Sequence, residues 1–389
     1  MPADALVDVG VVGGGVVGLA TALALAETGV GRVVVYERSG LNSGASGVQP
    51  GGVRQQWSTA PNVALARESL DFFASLPDRV GSTAEASSFD AAALRFTPCG
   101  YVFAASSAET LSDLERTVGI QNALGVPSRV ISEVELAEAV PGITSERFLG
   151  AAVCDEDGYF DQPQTVVEAV AAAARAAGVE IEIAEVRSLQ PAGTSWLLQL
   201  ADGSHAQAGA VVVAAHIDTV ELLRPLGIVL PMLAEDRFLF LSEPVHERLL
   251  EPLFVAVDWH FAAKHLASGR VLASDLTAAG GGPDDGDGWR RSIRRAIAEL
   301  VPLLSYVTFP ILVRGIYDMT PDAQPIVGAV PGQANLWLAC GFNGRGFMLA
   351  PAIGKRLARV IAGDRDALVS ELGLERFDRA PAEPEGQVV

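Results

Sequence analysis

Three glycines, Gly13, Gly15 and Gly18, stand between a β-branched run (Val7 to Val12) and a helix-forming stretch (Leu19 to Thr28). At this spacing the first glycine permits a tight turn. The second lets the backbone approach a pyrophosphate, and the third lets helix and strand pack closely. Val16 and Val17 fall inside the same turn, so their amides belong to the phosphate-facing group. Glu37 closes a second buried run, Val33 to Tyr36, where a carboxylate can accept from a ribose hydroxyl. That carboxylate disfavours a 2′-phosphate, and Arg38 beside it softens the exclusion. The chemistry is dinucleotide binding; the glycine pattern by itself fits NAD and FAD equally.

Two further stretches combine glycine with reactive or charged side chains. Ser43-Gly44-Ala45-Ser46-Gly47 leads to Gly51-Gly52-Val53-Arg54-Gln55-Gln56. Small residues here would let backbone lie along an extended cofactor, with Ser43, Ala45, Ser46, Gly52 and Val53 beside it. Arg54 would supply a fixed positive charge near the working end and is a candidate catalytic residue. Gly44-x-Ser46 lacks the second glycine of a nucleophile elbow, so Ser46 is not read as a nucleophile. Near the C-terminus, Cys340-Gly341-Phe342-Asn343-Gly344-Arg345-Gly346-Phe347 joins a strand to a helix. A helix N-terminus with glycine amides suits an acceptor that gains negative charge on reduction, as a flavin does.

His205, His216, His246, His260 and His265 show no metal-ligand spacing, so no metal site is expected. His260 and His265, with Lys264 between them, could line a pocket from one strand. His260 and Lys264 are therefore further candidate catalytic groups.

The elements that must position these residues follow from pattern. The first 40 residues read as strand, turn, helix, strand. Helices are expected over Asn62 to Leu76, Leu111 to Leu124, Thr165 to Ala177, Ser292 to Leu300 and Ala350 to Ile361. Trp196 to Leu200 and Ala206 to Ala215 flank an Asp202-Gly203 turn and read as a hairpin. From Pro231 to Arg314 short strand-like pieces alternate with turns. Gly280 to Asp285 reads as a flexible loop, and the last dozen residues as a frayed tail. The fold class is α/β, α+β overall. A Rossmann-like dinucleotide domain is expected in segments 1–92, 149–228 and 315–389. A strand-rich substrate domain fills 93–148 and 229–314.

Composition narrows the function classes. The chain has 389 residues, 49% of them hydrophobic, enough for a large core. A net charge of −19 and no basic stretch interleaved with aromatics argue against nucleic acid. Cys99, Cys154 and Cys340 are widely spaced and fit free thiols in a reducing, cytoplasmic setting. Val9 to Ala26 is uncharged, but acidic Asp4 and Asp8 precede it and glycines interrupt it. It reads as strand, turn and helix, not as a leader or membrane span.

Three segments together resemble the D-amino-acid oxidase-like FAD-dependent oxidoreductases. They are VDVGVVGGGVVGLATALALAETG, SGASGVQPGGVRQQW and GIYDMTPDAQPIVGAVPGQANLWLACGFNGRGFMLAPAIGKRLA. The branch nearest in pattern includes sarcosine and dimethylglycine oxidoreductases, glycine oxidase and the β-subunits of proline dehydrogenases. The resemblance implies FAD and oxidation of a C–N bond in an amine or amino acid, with secondary or N-methyl amines favoured. It implies hydride transfer to flavin N5 and an imine that hydrolyses. It places Gly13, Gly15 and Gly18 at the pyrophosphate, Glu37 at the ribose, and Ser43, Ala45 and Ser46 along the phosphate and ribityl path. Val186 would offer main chain to adenine, and Arg54 would lie by the isoalloxazine. Gly344, Arg345, Gly346, Phe347 and Met348 would form its pyrimidine edge. Ala214 and Ala215 keep a cofactor-edge motif whose usual glycine is His216 here. Gly315 replaces the cysteine that tethers flavin in some members, so noncovalent FAD is expected. Met348 replaces a lysine that holds substrate carboxylate in some sarcosine oxidases. The Trp259 to His265 strand also departs from the more familiar pattern. An NAD-dependent dehydrogenase is the competing enzyme class. A homo-oligomer, or an FAD-binding subunit of a hetero-oligomeric dehydrogenase that passes electrons to a partner, is the competing assembly.

Overall fold

In the computed structural model, which describes residues 6–90, 92–277, 286–379 and 384–386, Val7–Val12 (β1) is the centre of the first sheet. It pairs in parallel with Val33–Glu37 (β2) on one side and with His205–Val213 on the other. Glu180–Ile183 extends the sheet beyond β2, again in parallel. Buried on both faces, β1 from Val9 onward and β2 from Val33 to Tyr36 need a continuous apolar sequence, and both have one. The helix between them, Val16–Thr28 (α1), is buried on nearly every side and correspondingly lacks a polar face. Gly29, left-handed at φ 76°, ends it. The uncharged run from Val9 to Ala26 is therefore strand, turn and helix. No helix among the described residues is long and apolar enough to cross a membrane.

The outer edge of His205–Val213 is shared. Its first half pairs with the hairpin strand Ser195–Leu200, and its second half with Leu336–Cys340 in parallel. The C-terminal segment thus completes the nucleotide-binding sheet. Its helix Gly346–Ile361 packs against α1 so closely that a Cβ on Gly354 would lie 2.7 Å from backbone carbon of Ala20.

A second sheet of eight strands runs, edge to edge, Ile311–Met319, Leu233–Leu241, Val271–Asp275, Phe261–His265, Leu253–Ala256, Tyr101–Ala105, Gly150–Cys154 and Arg129–Ile131. A three-stranded ribbon of Gly52–Val53, Gly158–Tyr159 and Thr97–Pro98 completes the β structure of the described residues.

Several expectations need correction. Gly150–Cys154 pairs with Tyr101–Ala105 in the second sheet, so the boundary expected at 149 falls too early. Its five residues are all buried, a short apolar run with no alternation to assign it. Ile311–Met319 crosses the boundary expected at 315 as one unbroken strand of the second sheet. The glycine- and serine-rich stretch from Ser43, where backbone was expected to lie along the cofactor, contains a short helix, Ala45–Val48. The frayed tail is also not general: Glu385 is buried and bonded to Ser58, Thr59 and Asn62. The loop Gly280 to Asp285 lies outside the described residues. The three cysteines are free thiols.

Candidate active site

At the β1–α1 turn two glycines have no room for a side chain. A Cβ on Gly13 (φ +110°) would lie 2.4 Å from the Ala214 carbonyl oxygen, and one on Gly18 would lie 1.9 Å from that of Gly13. Gly15 forms the N-cap of α1, and its absent Cβ leaves space beside Ser46, whose hydroxyl accepts from the Val16 amide at 3.0 Å. The first-turn amides and the positive end of α1 face an open crevice.

Glu37 sits at the end of β2, 8% exposed. One carboxylate oxygen accepts from the Gly14 amide at 2.8 Å; the other accepts from the Ser39 amide at 2.9 Å and is near Gly40 and Ser43. The acid is thus fixed beside the turn, as a ribose acceptor must be. Arg38 forms an exposed ion pair with Asp218 at 2.8 Å.

The crevice is one end of a continuous cavity of about 620 Å³. Of the residues expected to hold cofactor, Gly13, Gly15, Val16, Val17, Glu37, Arg38, Ser43, Ala45, Ser46, Gly52, Arg54, Val186, Ala214, Ala215, Gly315, Gly344, Gly346, Phe347 and Met348 line it. Gly18, Val53 and Arg345 do not. Gly18 packs on Gly13, and Val53 is core. Arg345 is buried behind the lining, bonded to the carbonyls of Phe342 and Ala323.

At the other end, Arg54 is 2% exposed. Its guanidinium donates to the Gln56 carbonyl and lies 3.6 Å above the Trp57 ring. Burial pulls its pKa down to about 10, so it stays charged at neutral pH. The segment that carries it, just after Gly52–Val53, is fixed by Asp157, fully buried, which accepts from the Gln55 amide at 2.8 Å and the Gln56 side chain at 3.2 Å. Burial pushes the Asp157 carboxyl up to about 6. A Cβ on Gly52 would lie 2.0 Å from the Tyr101 hydroxyl, so that ring reaches the cavity only because position 52 is glycine.

Lys264 faces the cavity from the second sheet and donates to the Pro50 carbonyl. Its ammonium lies 4.4 Å from the Tyr159 ring, and burial pulls its pKa down to about 7. His260, expected beside it, does not line the cavity. It is exposed, left-handed at φ 50°, and ends the turn Val257–Trp259. His265 points into packing, where its ring accepts from the Leu249 amide at 3.0 Å.

The third wall is the turn after Leu336–Cys340. Gly341, Asn343 and Gly344 all have positive φ (68°, 53° and 80°). Buried Asp318 organises it, accepting from the amides of Gly341 at 2.7 Å and Asn343 at 3.2 Å. His216, with φ 55°, reaches the same carboxylate at 3.5 Å. A Cβ on Gly344 would lie 2.2 Å from the Tyr317 ring. Helix Gly346–Ile361 starts here, aiming its amides at the cavity.

Sequence reading missed Tyr101, Asp157, Arg237 and Tyr317. Tyr317 lay in the quoted C-terminal segment. The other three sit where no local spacing marks them. Among the described residues no group of three or more His, Cys, Asp or Glu could hold a metal ion.

The family described as FAD dependent oxidoreductase (DAO) matches residues 8–360. The chain belongs to this family. It is an FAD-dependent oxidoreductase. Among DAO-family relatives, 4-methylaminobutanoate oxidase (formaldehyde-forming) of Paenarthrobacter nicotinovorans is 27% identical over 94% of this chain; the chain spans 45% of that protein's length. Glycine oxidase of Geobacillus kaustophilus is 27% identical over 96% of this chain and 95% of its own length. The crystal structure of L-proline dehydrogenase from P. horikoshii shares the fold, with a TM-score of 0.87, 24% identity, and coverage of 97% of this chain and 99% of that one.

Proposed function

We propose that this DAO-family enzyme oxidises the C–N bond of a small amine or amino acid, with secondary or N-methyl amines favoured. The observation that carries the reading is the single cavity running from the Gly13–Gly18 turn to the chamber lined by Arg54, Tyr101, Lys264 and Tyr317. Its glycine cradle, helix N-terminus and Glu37 fit a dinucleotide, and its far end brings polar and charged side chains together beside apolar walls, as a small-molecule site needs.

FAD would lie with its pyrophosphate at Gly13, Gly15 and Ser46, its ribose at Glu37, and its ring between Arg54 and the Gly344–Met348 turn. When bound, it supplies the acceptor for a hydride from the carbon beside nitrogen, leaving an imine that water hydrolyses. The chain's own contributions are orientation and charge. Arg54 and the amides of helix Gly346–Ile361 stabilise negative charge at the ring's edge. Lys264, whose pKa burial pulls down to about 7, takes the proton that a substrate ammonium must lose. Attachment is noncovalent: Gly315 offers no side chain, and none of Cys99, Cys154 or Cys340 lines the cavity.

A second reading, an FAD-binding subunit that passes electrons to a partner, draws support from one surface. Ile311–Met319 is an edge strand on which Ile311, Leu312 and Ile316 are exposed. The test is a visible spectrum of the purified protein, then anaerobic titration with sarcosine, proline, glycine and D-amino acids. Flavin bands that bleach with one amine support the first reading, and reoxidation in air identifies an oxidase. Bands that bleach but do not recover in air favour the second. A protein that takes up no flavin overturns both.

A further inference from the structure

His216 stands at a junction in the cofactor cavity, which it lines. Ala214, two residues earlier, packs directly on Gly13 of the phosphate turn. Asp318, which the imidazole reaches at 3.5 Å, holds the turn through Gly341 and Asn343 on another wall. His216 is thus tied by its backbone to the phosphate cradle and by its ring to the turn that would meet the flavin.

Three observations set it apart. The first is its backbone. At φ 55° it occupies the left-handed region, where glycine would sit without strain and a side chain costs free energy. The second is Asp318. Its side chain is 2% exposed, and no lysine or arginine among the described residues lies within ion-pair distance of it. Arg345 acts on it only through space. A buried carboxylate without a cation in contact gains from one placed beside it, and His216 is the group in position to become one. The third is the other side of the ring. Nε2 faces Asp318, whereas Nδ1 has no hydrogen-bond partner among the described residues, and 32% of the side chain is left exposed.

The neighbouring charges are already committed. Asp218, on the helix Asp218–Leu223 that follows, pairs with Arg38 at 2.8 Å, and Glu221 pairs with Arg224. Glu37 is held by the amides of Gly14 and Ser39. Burial pushes the Tyr317 hydroxyl and the Cys340 thiol up, so both stay neutral where histidines titrate. Charge at the junction then reduces to Asp318, His216 and the anionic diphosphate that FAD would bring. An imidazolium there is attracted from both sides. Filling the cavity also expels water, which strengthens both attractions.

We propose that His216 grips FAD in its protonated form, so that loading of the cofactor is coupled to uptake of a proton at this imidazole. The inference rests on FAD occupying the cavity, as the amine-oxidising reading requires, and adds a proton-linked step to its loading. Linkage fixes the sign. Protonation raises FAD affinity by the same factor as FAD raises proton affinity, so binding weakens as pH rises through the imidazole's titration.

The test is titration of the apoprotein with FAD, followed by quenching of flavin fluorescence, from about pH 5.5 to about pH 8.5. Wild type is compared with His216→Gly and His216→Asn. Both replacements tolerate a left-handed backbone, so apoprotein melting should match or exceed wild type. Lys264 and Asp157 titrate in the same interval, so the wild-type slope alone is not diagnostic. The ratio of variant to wild-type dissociation constants cancels their contribution. That ratio is expected to be about 10 at the acid end and about 1 at the alkaline end, the scale of an ordinary coupling between two sites. If the glycine variant does not fold, the asparagine variant decides. A ratio that is constant across the range, whatever its value, or that grows with pH overturns the proposal and leaves the cavity's assignment to FAD intact. A wild type that binds no FAD at any pH overturns that assignment itself.

Discussion

The carboxylate of Glu385 accepts from both the amide and the hydroxyl of Ser58, at 2.8 and 2.6 Å, across 327 residues of chain. It also accepts from the Thr59 and Asn62 side chains and so ties the C-terminal segment to the start of helix Ala60–Gly81. Burial would raise its pKa, but the bonds from Ser58 and Asn62 and the charge of Arg345 hold it below the usual glutamate range. Glu385→Ala should destabilise the protein by about 2–4 kcal/mol, since it strips several buried donors and removes the larger of the two carboxylate charges acting on Arg345. Urea unfolding measures this. Because the folded pKa lies below the unfolded one, the contribution is present above pH 4.5 and fades as pH falls through the folded value. A midpoint equal to wild type at neutral pH would mean the tail is not docked.

Gly15 and Gly18 separate two effects that the motif combines. A Cβ on Gly18 collides with backbone at 1.9 Å, whereas one on Gly15 meets only the Ser46 hydroxyl at 3.2 Å. Gly18→Ala should therefore lower apoprotein stability itself, by about 1–3 kcal/mol from overpacking. Gly15→Ala should leave the apoprotein near wild type and weaken FAD binding by about 10-fold or more, by blocking approach of the pyrophosphate. Fluorescence titration of apoprotein with FAD, alongside thermal melts, distinguishes the two. The same phenotype in both variants would contradict the geometry.

Lys264 gives a pH signature. Its pKa falls from 10.5 unfolded to about 7 folded because burial penalises the ammonium. Between those values the unfolded chain binds more protons, so this group makes stability rise with pH from about 7 to about 10.5. Lys264→Met should flatten the rise and also remove an inflection near pH 7 from the rate of flavin bleaching by amine. Denaturant unfolding at several pH values checks the first, stopped-flow spectroscopy the second.

Asp157 acts at lower pH and in the opposite sense. Its folded pKa of about 6 exceeds the unfolded 3.8, again because of burial, so the associated stability is full below 3.8 and is lost as pH rises through 6. Asp157→Asn should flatten stability across that interval. Asp157→Ala should loosen the segment Arg54 to Gln56 and reduce flavin retention, measured as the ratio of flavin to protein absorbance after gel filtration.

Much of the nucleotide end was legible in the sequence because its signals are local. Gly13, Gly15 and Gly18, the buried runs of β1 and β2, and Glu37 all fall within one βαβ unit, where spacing alone fixes geometry. The chamber end was less legible because its residues converge from distant strands. Tyr101, Arg237 and Tyr317 meet only through sheet order, which local periodicity does not encode. His260 looked equivalent to Lys264 in sequence, yet a left-handed residue at the end of Val257–Trp259 turns it outward. Strands were missed where burial on both faces erased alternation, as at Gly150–Cys154, and the Glu385 contact left no trace in a Pro- and Glu-rich tail.

The split edge of His205–Val213 bears on how the protein is made. Half of that edge is filled early by the hairpin, and the other half waits for Leu336–Cys340. A chain leaving the ribosome can therefore assemble the phosphate cradle long before its last strand exists. The cofactor pocket closes only after residues near Met348 have emerged. Truncated or stalled chains would carry an open sheet edge and an incomplete pocket, exposing apolar surface that the finished enzyme conceals. Cellular flavin supply would then act at the end of synthesis, stabilising completed molecules and leaving fragments to proteolysis.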